Sequence, residues 1–250
     1  MDNAKLFFPI FLLVLALALG IFLNYQLSTS LAKFIEPFRK PEINLLVLID
    51  KNCKECFDIN IIYNSIKSSN NYVIKSEKVE DYKNYLNLIK SLKIDKIPSI
   101  IISGEVEKVA NIFSRIPGYR KVEDKIVIES YPPFLSLSDN KIYGIVDIIY
   151  LVPRNCTKCY DVTLHKRILE EGYLVKIGKE KTVYTDEEEG KELIKKYNIT
   201  AVPTIILSKD ISYYYLLASI WDQVGSIEED GSYVFRNENW MQEYGGYVKV

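Results

Sequence analysis

The chain of 250 residues has one histidine, His165, and four cysteines, and its formal net charge is only −1. A single imidazole excludes sites built from several of them. Near-neutral charge without a basic stripe argues against a nucleic-acid partner. The four cysteines, Cys53, Cys56, Cys156 and Cys159, all fall in C-x-x-C pairs, so none is left for a structural cross-link. Cysteine usage therefore leaves the redox compartment open. About half of the residues are hydrophobic and a quarter are charged, the balance of a globular chain.

Charge is also missing from Leu6 to Leu23, inside KLFFPIFLLVLALALGIFLNYQL. A run of that length approaches what crosses a bilayer. No cleavage pattern stands in NYQLSTSLAKF, so an uncleaved anchor over 6–26 is expected, after a tail 1–5 and before a linker 27–40. The flanking cations Lys33, Arg39 and Lys40 lean toward a cytoplasmic soluble part. The chemistry below favours the outside, and a single-pass protein of the cell membrane facing outward is the expectation adopted.

The rest of the chain repeats itself. INLLVLIDKNCKECFDINIIYNSIK and VDIIYLVPRNCTKCYDVTLHKRIL each run from an apolar stretch through a polar turn to C-x-x-C, an aromatic, Asp and a helical pattern. Downstream, YKNYLNLIKSLKIDKIPSIIISGE matches EEGKELIKKYNITAVPTIILSKD. Pro98 stands 45 residues after Cys53, and Pro203 stands 47 after Cys156. The tails FSRIPGYRKVEDKIVIE and WDQVGSIEEDGSYVFRN match as hairpin-like pairs, with Asp230-Gly231 as the turn of the second. Two units are expected, 41–135 and 136–250, each ordered strand, helix, strand, helix, strand and hairpin. The near-continuous apolar runs predict strands covered on both faces, hence an α/β sheet with helices on either side.

This pattern resembles the thioredoxin superfamily twice over, carried by Cys53, Cys56 and Ile97-Pro98-Ser99, and by Cys156, Cys159 and Val202-Pro203-Thr204. The tandem arrangement is similar to that of protein disulfide oxidoreductases built from two thioredoxin units. The resemblance implies a fold of two tandem thioredoxin-like domains behind one transmembrane helix. It implies a C-x-x-C at a helix start with a cis proline opposite, four catalytic cysteines, and substrate-binding residues Ile97, Pro98, Val202 and Pro203. It implies neither an organic cofactor nor a metal. The implied function is a membrane-anchored thiol–disulfide oxidoreductase acting on protein thiols or disulfides, with an integral membrane redox partner and a lipid contact through the first helix.

At a helix start, the dipole and free N–H groups would stabilise the thiolates of Cys53 and Cys156, the attacking species. Zinc shared between the pairs, an electron-relay subunit with one partner, and a redox-silent binding module are the rival readings. His165 is read as a solvated helix residue. The buried acid of classical thioredoxins has no match, with Val47 and Tyr150 standing about where it would lie, and Lys54-Glu55 and Thr157-Lys158 replace Gly-Pro. Along the sequence the charges Asp50, Lys51, Lys54 and Glu55 cancel, whereas Arg154 and Lys158 leave two positives beside Cys156. That count predicts the more stable thiolate at Cys156.

Overall fold

The structure, a computed structural model, describes residues 17–30 and 39–250. The expected tail 1–5, residues 6–16 of the expected anchor and residues 31–38 of the expected linker lie outside these. Residues 17–30 form a helix, α1, whose apolar side chains, among them Leu19, Phe22 and Leu23, are exposed. Among the described residues no helix is long and apolar enough to cross a membrane.

The first unit opens with strand β1 (Glu42–Ile49), then helix α2 (Asn60–Lys67), β2 (Val73–Asp81), α3 (Leu86–Ser91), β3 (Lys96–Ile97), β4 (Ser99–Gly104), α4 (Val106–Phe113), β5 (Tyr119–Val122) and β6 (Lys125–Glu129). Its sheet runs β2-β1-β4-β6-β5, with β1 parallel to β2 and antiparallel to β4. Successive side chains of a strand point to opposite faces. Leu45 and Val47 therefore meet α2 and α4 through Tyr63, Ile66, Val109 and Phe113, while Leu48 meets α3 through Ile89 on the other face. Both faces are dry, which is why the strand reads as an unbroken apolar run.

Two short strands, β7 (Phe134–Ser136) and β8 (Lys141–Tyr143), lead out of this unit. The second unit repeats the plan with β9 (Ile145–Val152), α5 (Leu164–Arg167), β10 (Lys176–Tyr184), α6 (Glu188–Tyr197), β11 (Ala201–Val202), β12 (Thr204–Leu207), α7 (Tyr215–Ala218), β13 (Gly225–Ile227) and β14 (Tyr233–Phe235), then adds α8 (Glu238–Glu243) and β15 (Val248–Lys249). Its sheet order, β10-β9-β12-β14-β13, is the first order over again. Val146, Ile148 and Tyr150 face one core and Leu151 the other. The expected turn at Asp230-Gly231 joins β13 to β14, with Gly231 at φ +83°.

The units touch through aromatic side chains. The Tyr131 hydroxyl donates to the Tyr173 carbonyl at 3.0 Å, and its ring lies 5.6 Å from that of Tyr214. Tyr214 in turn donates to the Gly144 carbonyl at 2.7 Å.

Candidate active site

In each unit the strand register sets the site. Leu48, near the end of β1, pairs with Ser99, and Leu151 of β9 pairs with Thr204. The residue before each of these partners is a proline in a cis peptide, Ile97-Pro98 and Val202-Pro203. The proline loop is thereby held against the turn that leaves the neighbouring strand, where the cysteines stand. Cys53, Cys56 and Pro98 line one cavity of about 260 Å³ together with Asp50 and Phe57. Ile97 and Val202 are fully buried, and their backbones carry the short strands β3 and β11.

Cys53–Cys56 and Cys156–Cys159 are disulfides with Cα separations of 5.4 and 5.5 Å. All four cysteines are half-buried. Cys56 packs against the cluster of Leu48 and Ile97. The two pairs stay in their own units, and among the described residues no group of three or more His, Cys, Asp or Glu side chains could hold a metal ion.

The helix start is not where the sequence placed it. Neither C-x-x-C lies in a helix: α2 begins at Asn60 and α5 at Leu164. The intervening backbone is bonded elsewhere. Cys53 N–H donates to the Asp50 carbonyl at 3.1 Å, and Phe57 N–H to the Pro133 carbonyl at 2.7 Å. The helix entries are instead fixed by the Asp after each aromatic. Asp58 accepts from Asn60 N–H at 3.0 Å, and Asp161 accepts from Thr163 N–H at 2.9 Å. The Thr163 hydroxyl and N–H on Asp161 also hold its carboxyl below the usual carboxylate range. An Asp that bonds its own backbone two residues on is a standing signal for a turn, and it was available in both repeats. Helix-dipole effects fade within the first turn, and both C-x-x-C pairs precede the helix starts.

His165 also stands elsewhere than expected. It is 6% exposed and is enclosed by Phe235 and Trp240, with ring centroids at 4.4 and 4.8 Å. The helix that was to expose it is four residues long and passes into a wider turn at Ile168–Gly172, while β14 and α8 cover the side chain. Its Nε2 lies 3.1 Å from the Tyr160 hydroxyl, which donates to the Pro203 carbonyl at 3.0 Å. With the Tyr160 proton spent on Pro203, the proton of neutral His165 belongs on Nε2. Burial lowers the His165 pKa to about 4 and raises that of Tyr160. Tyr160 follows Cys159 directly, so a buried pair links the second dithiol loop to its proline loop.

Val47 is 1% and Tyr150 4% exposed. Tyr150 donates to Glu180 at 3.0 Å, and burial, with this bond second, raises its pKa. Among the described residues the buried polar side chains are three serines, one threonine and His165, with no carboxylate. The local charge count changes as well. Arg154 pairs with Asp186 at 3.0 Å and Glu187 at 2.7 Å, and these partners raise its own pKa. Glu55, inside the first C-x-x-C, pairs with Lys176 of the second unit at 3.5 Å.

No protein-family model matches the chain, and no curated protein matches it. Solved structures resemble it at low identity. The NTD N/C domain of alkylhydroperoxide reductase AhpF from Enterococcus faecalis is 14% identical, over 73% of this chain and 89% of its own, with a TM-score of 0.24. A protein disulfide oxidoreductase from Aeropyrum pernix is 13% identical, over 73% of this chain and 82% of its own, with a TM-score of 0.20. Full-length ERdj5 is 9% identical, over 72% of this chain and 27% of its own, with a TM-score of 0.20. Read from its own strand order, its C-x-x-C after the first strand of each sheet and its cis proline opposite, each half of the chain is a thioredoxin-like unit.

Proposed function

We propose that the chain is a membrane-anchored thiol–disulfide oxidoreductase acting through two dithiols on protein thiols or disulfides. The observation that carries this reading is the pairing, in both units, of a half-buried C-x-x-C disulfide with a cis-proline loop. A substrate thiolate attacks the sulfur of Cys53 or Cys156, and the second cysteine leaves as a thiolate. Attack by a second substrate thiol on the mixed disulfide then releases a substrate disulfide and the reduced pair. The reverse sequence reduces a substrate disulfide. The packing of Cys56 against Leu48 and Ile97 supports the first cysteine as the one that meets substrate. Ile97, Pro98, Val202 and Pro203 would position that substrate.

The uncharged run Leu6–Leu23 and the exposed apolar side chains of α1 support anchoring at the cell membrane. The exchange chemistry supports units that face outside, with an integral membrane protein as redox partner. The test is reduction of insulin by dithiothreitol with catalytic amounts of the protein. Acceleration that disappears when all four cysteines become Ser supports the reading, and an unchanged rate overturns it.

A further inference from the structure

The two units share a third feature. In the first, Phe57 N–H donates to the Pro133 carbonyl at 2.7 Å, and two residues on, Leu135 pairs with Ile97. In the second, Tyr160 N–H donates to the Gly246 carbonyl at 3.0 Å, and two residues on, Val248 pairs with Val202. Each unit is thus followed by a strap that starts beside its C-x-x-C and ends on the residue before its cis proline. Antiparallel ladders alternate bonded and non-bonded pairs. Leu137 N–H donates to the Asp95 carbonyl and Val250 N–H to the Thr200 carbonyl. Two residues along each ladder, Ile97 with Leu135 and Val202 with Val248 must therefore exchange their N–H and C=O groups. A residue has one of each. An extended polypeptide cannot pair with Ile97 or Val202 while the strap is in place.

The straps differ in what holds them. The first begins with Pro132-Pro133 in a cis peptide, buries Phe134, Leu135 and Ser136 at 3, 6 and 4% exposure, and is backed by β8. The second begins with Gly245-Gly246, both at positive φ, and leaves Val248 37% and Val250 49% exposed. β15 pairs with β11 alone. Tyr247 packs, half-buried, against the core of the second unit and donates to Glu238 at 2.8 Å, and Lys249 meets the same carboxylate at 2.6 Å as an ion pair of the weak surface class.

We propose that segment 245–250 is a displaceable placeholder on the second dithiol. An extended polypeptide exchanges with it at Val202 and reacts at Cys156, whereas the buried strap closes the first dithiol to such substrates. This rests on the oxidoreductase reading and divides its labour. The polypeptide pairs by strand addition. Its first thiolate opens Cys156–Cys159 to a mixed disulfide, its second thiol displaces Cys156, and the two thiol protons end on the two cysteines. One peptide disulfide forms and one protein disulfide is reduced.

The test uses two full chains, Cys53→Ser/Cys56→Ser and Cys156→Ser/Cys159→Ser, each with one oxidised dithiol. Each is reduced by an unstructured peptide carrying two cysteines and, separately, by dithiothreitol, and the ratio of rates is read. We expect that ratio to be about tenfold or more higher for the second dithiol, the worth of a ladder bond and a surface pair. Val248→Pro, which cannot donate in the ladder, should raise the ratio further for the second dithiol. So should Gly246→Ala, whose added Cβ would lie 2.6 Å from the Lys158 carbonyl. Equal ratios for the two dithiols, or strap variants that leave the ratio unchanged, overturn the proposal alone. A peptide that reduces neither dithiol in any variant, where dithiothreitol reduces both, overturns the oxidoreductase reading and the proposal with it.

Discussion

The Tyr160 hydroxyl lies 3.0 Å from the carbonyl oxygen of Pro203, so the residue after the second C-x-x-C is bonded to the loop on the other side of the disulfide. The first unit has Phe57 at this place, which has no hydroxyl to offer. Phe57 lies 5.7 Å from the Tyr131 ring instead. Tyr160→Phe should therefore act on the second unit only. It removes two buried bonds and leaves the Pro203 carbonyl and the His165 Nε2–H without their partner, at a cost of about 1–3 kcal/mol. Both tryptophans, Trp221 and Trp240, lie in the second unit, so the midpoint of urea unfolding followed by their fluorescence measures the loss.

His165 gives that unit a pH dependence. Its folded pKa of about 4 lies below the ordinary 6.5 of the unfolded chain. Between these values the unfolded state binds the proton and the folded state does not. Stability is therefore complete above pH 6.5 and falls as the pH drops toward 4. The His165 share of that loss is about 2 to 3 kcal/mol at pH 4.5. His165→Phe leaves Tyr160 still donating to Pro203, and it should lose less stability than the native chain between pH 7 and 4.5, by that amount. Equal losses in the two proteins would mean that the imidazole does not titrate in this window.

The helix entries carry a third expectation. Asp58→Ala and Asp161→Ala each remove the acceptor of the turn that leads into α2 and α5, and each should cost about 0.5–1.5 kcal/mol in urea unfolding, the worth of one hydrogen bond. If the dipole of these helices mattered to the dithiols, the same variants would also slow disulfide exchange. Because three residues separate α2 and four separate α5 from the C-x-x-C before it, the exchange rate with dithiothreitol should stay within about twofold.

These residues mark where sequence reading succeeds and where it stops. The strands 43–49 and 145–152 were legible because alternation onto two dry faces leaves an unbroken apolar run. The proline loops were legible because the same short string recurs at nearly the same distance from each cysteine pair. The helix starts were misplaced because the aromatic-Asp step after each C-x-x-C was passed over as a turn ahead of the helix. His165 was misread because what buries it, Phe235 and Trp240, comes from 70 residues and more downstream. The straps left no local trace at all. β7 and β15 are three and two residues long, too short for a periodicity, and their partners are distant in sequence.

Anchoring and orientation have their own tests. Alkaline carbonate should leave the full-length protein in the membrane pellet, and a shortened soluble form would mean a cleaved leader. A membrane-impermeant maleimide, applied to intact cells after mild reduction, should label Cys53 or Cys156. Labelling only after lysis would place the units inside.

The last expectation corrects a count made along the chain. By sequence, Cys156 has two positive neighbours, Arg154 and Lys158, and Cys53 has charges that cancel. In the fold, Arg154 is shared between Asp186 and Glu187 and lies over the Tyr184 ring, its guanidinium carbon 4.0 Å from the centroid. Its charge is largely answered before it can act on a thiolate. At the first site Glu55 is drawn to Lys176, so a negative neighbour is answered there. Both corrections move the sites in opposite directions and erase the advantage assigned to Cys156. The groups are exposed, so salt screens what remains. In chains with one reduced dithiol each, iodoacetamide at pH 7 should alkylate Cys53 and Cys156 at rates within about threefold, since alkylation follows the thiolate fraction. Asp186→Asn with Glu187→Gln frees Arg154 and should speed Cys156 alone, and 0.5 M salt should remove the gain. A native Cys156 that already reacts tenfold faster than Cys53 would restore the linear count and show that the ion pairs of Arg154 do not hold in solution.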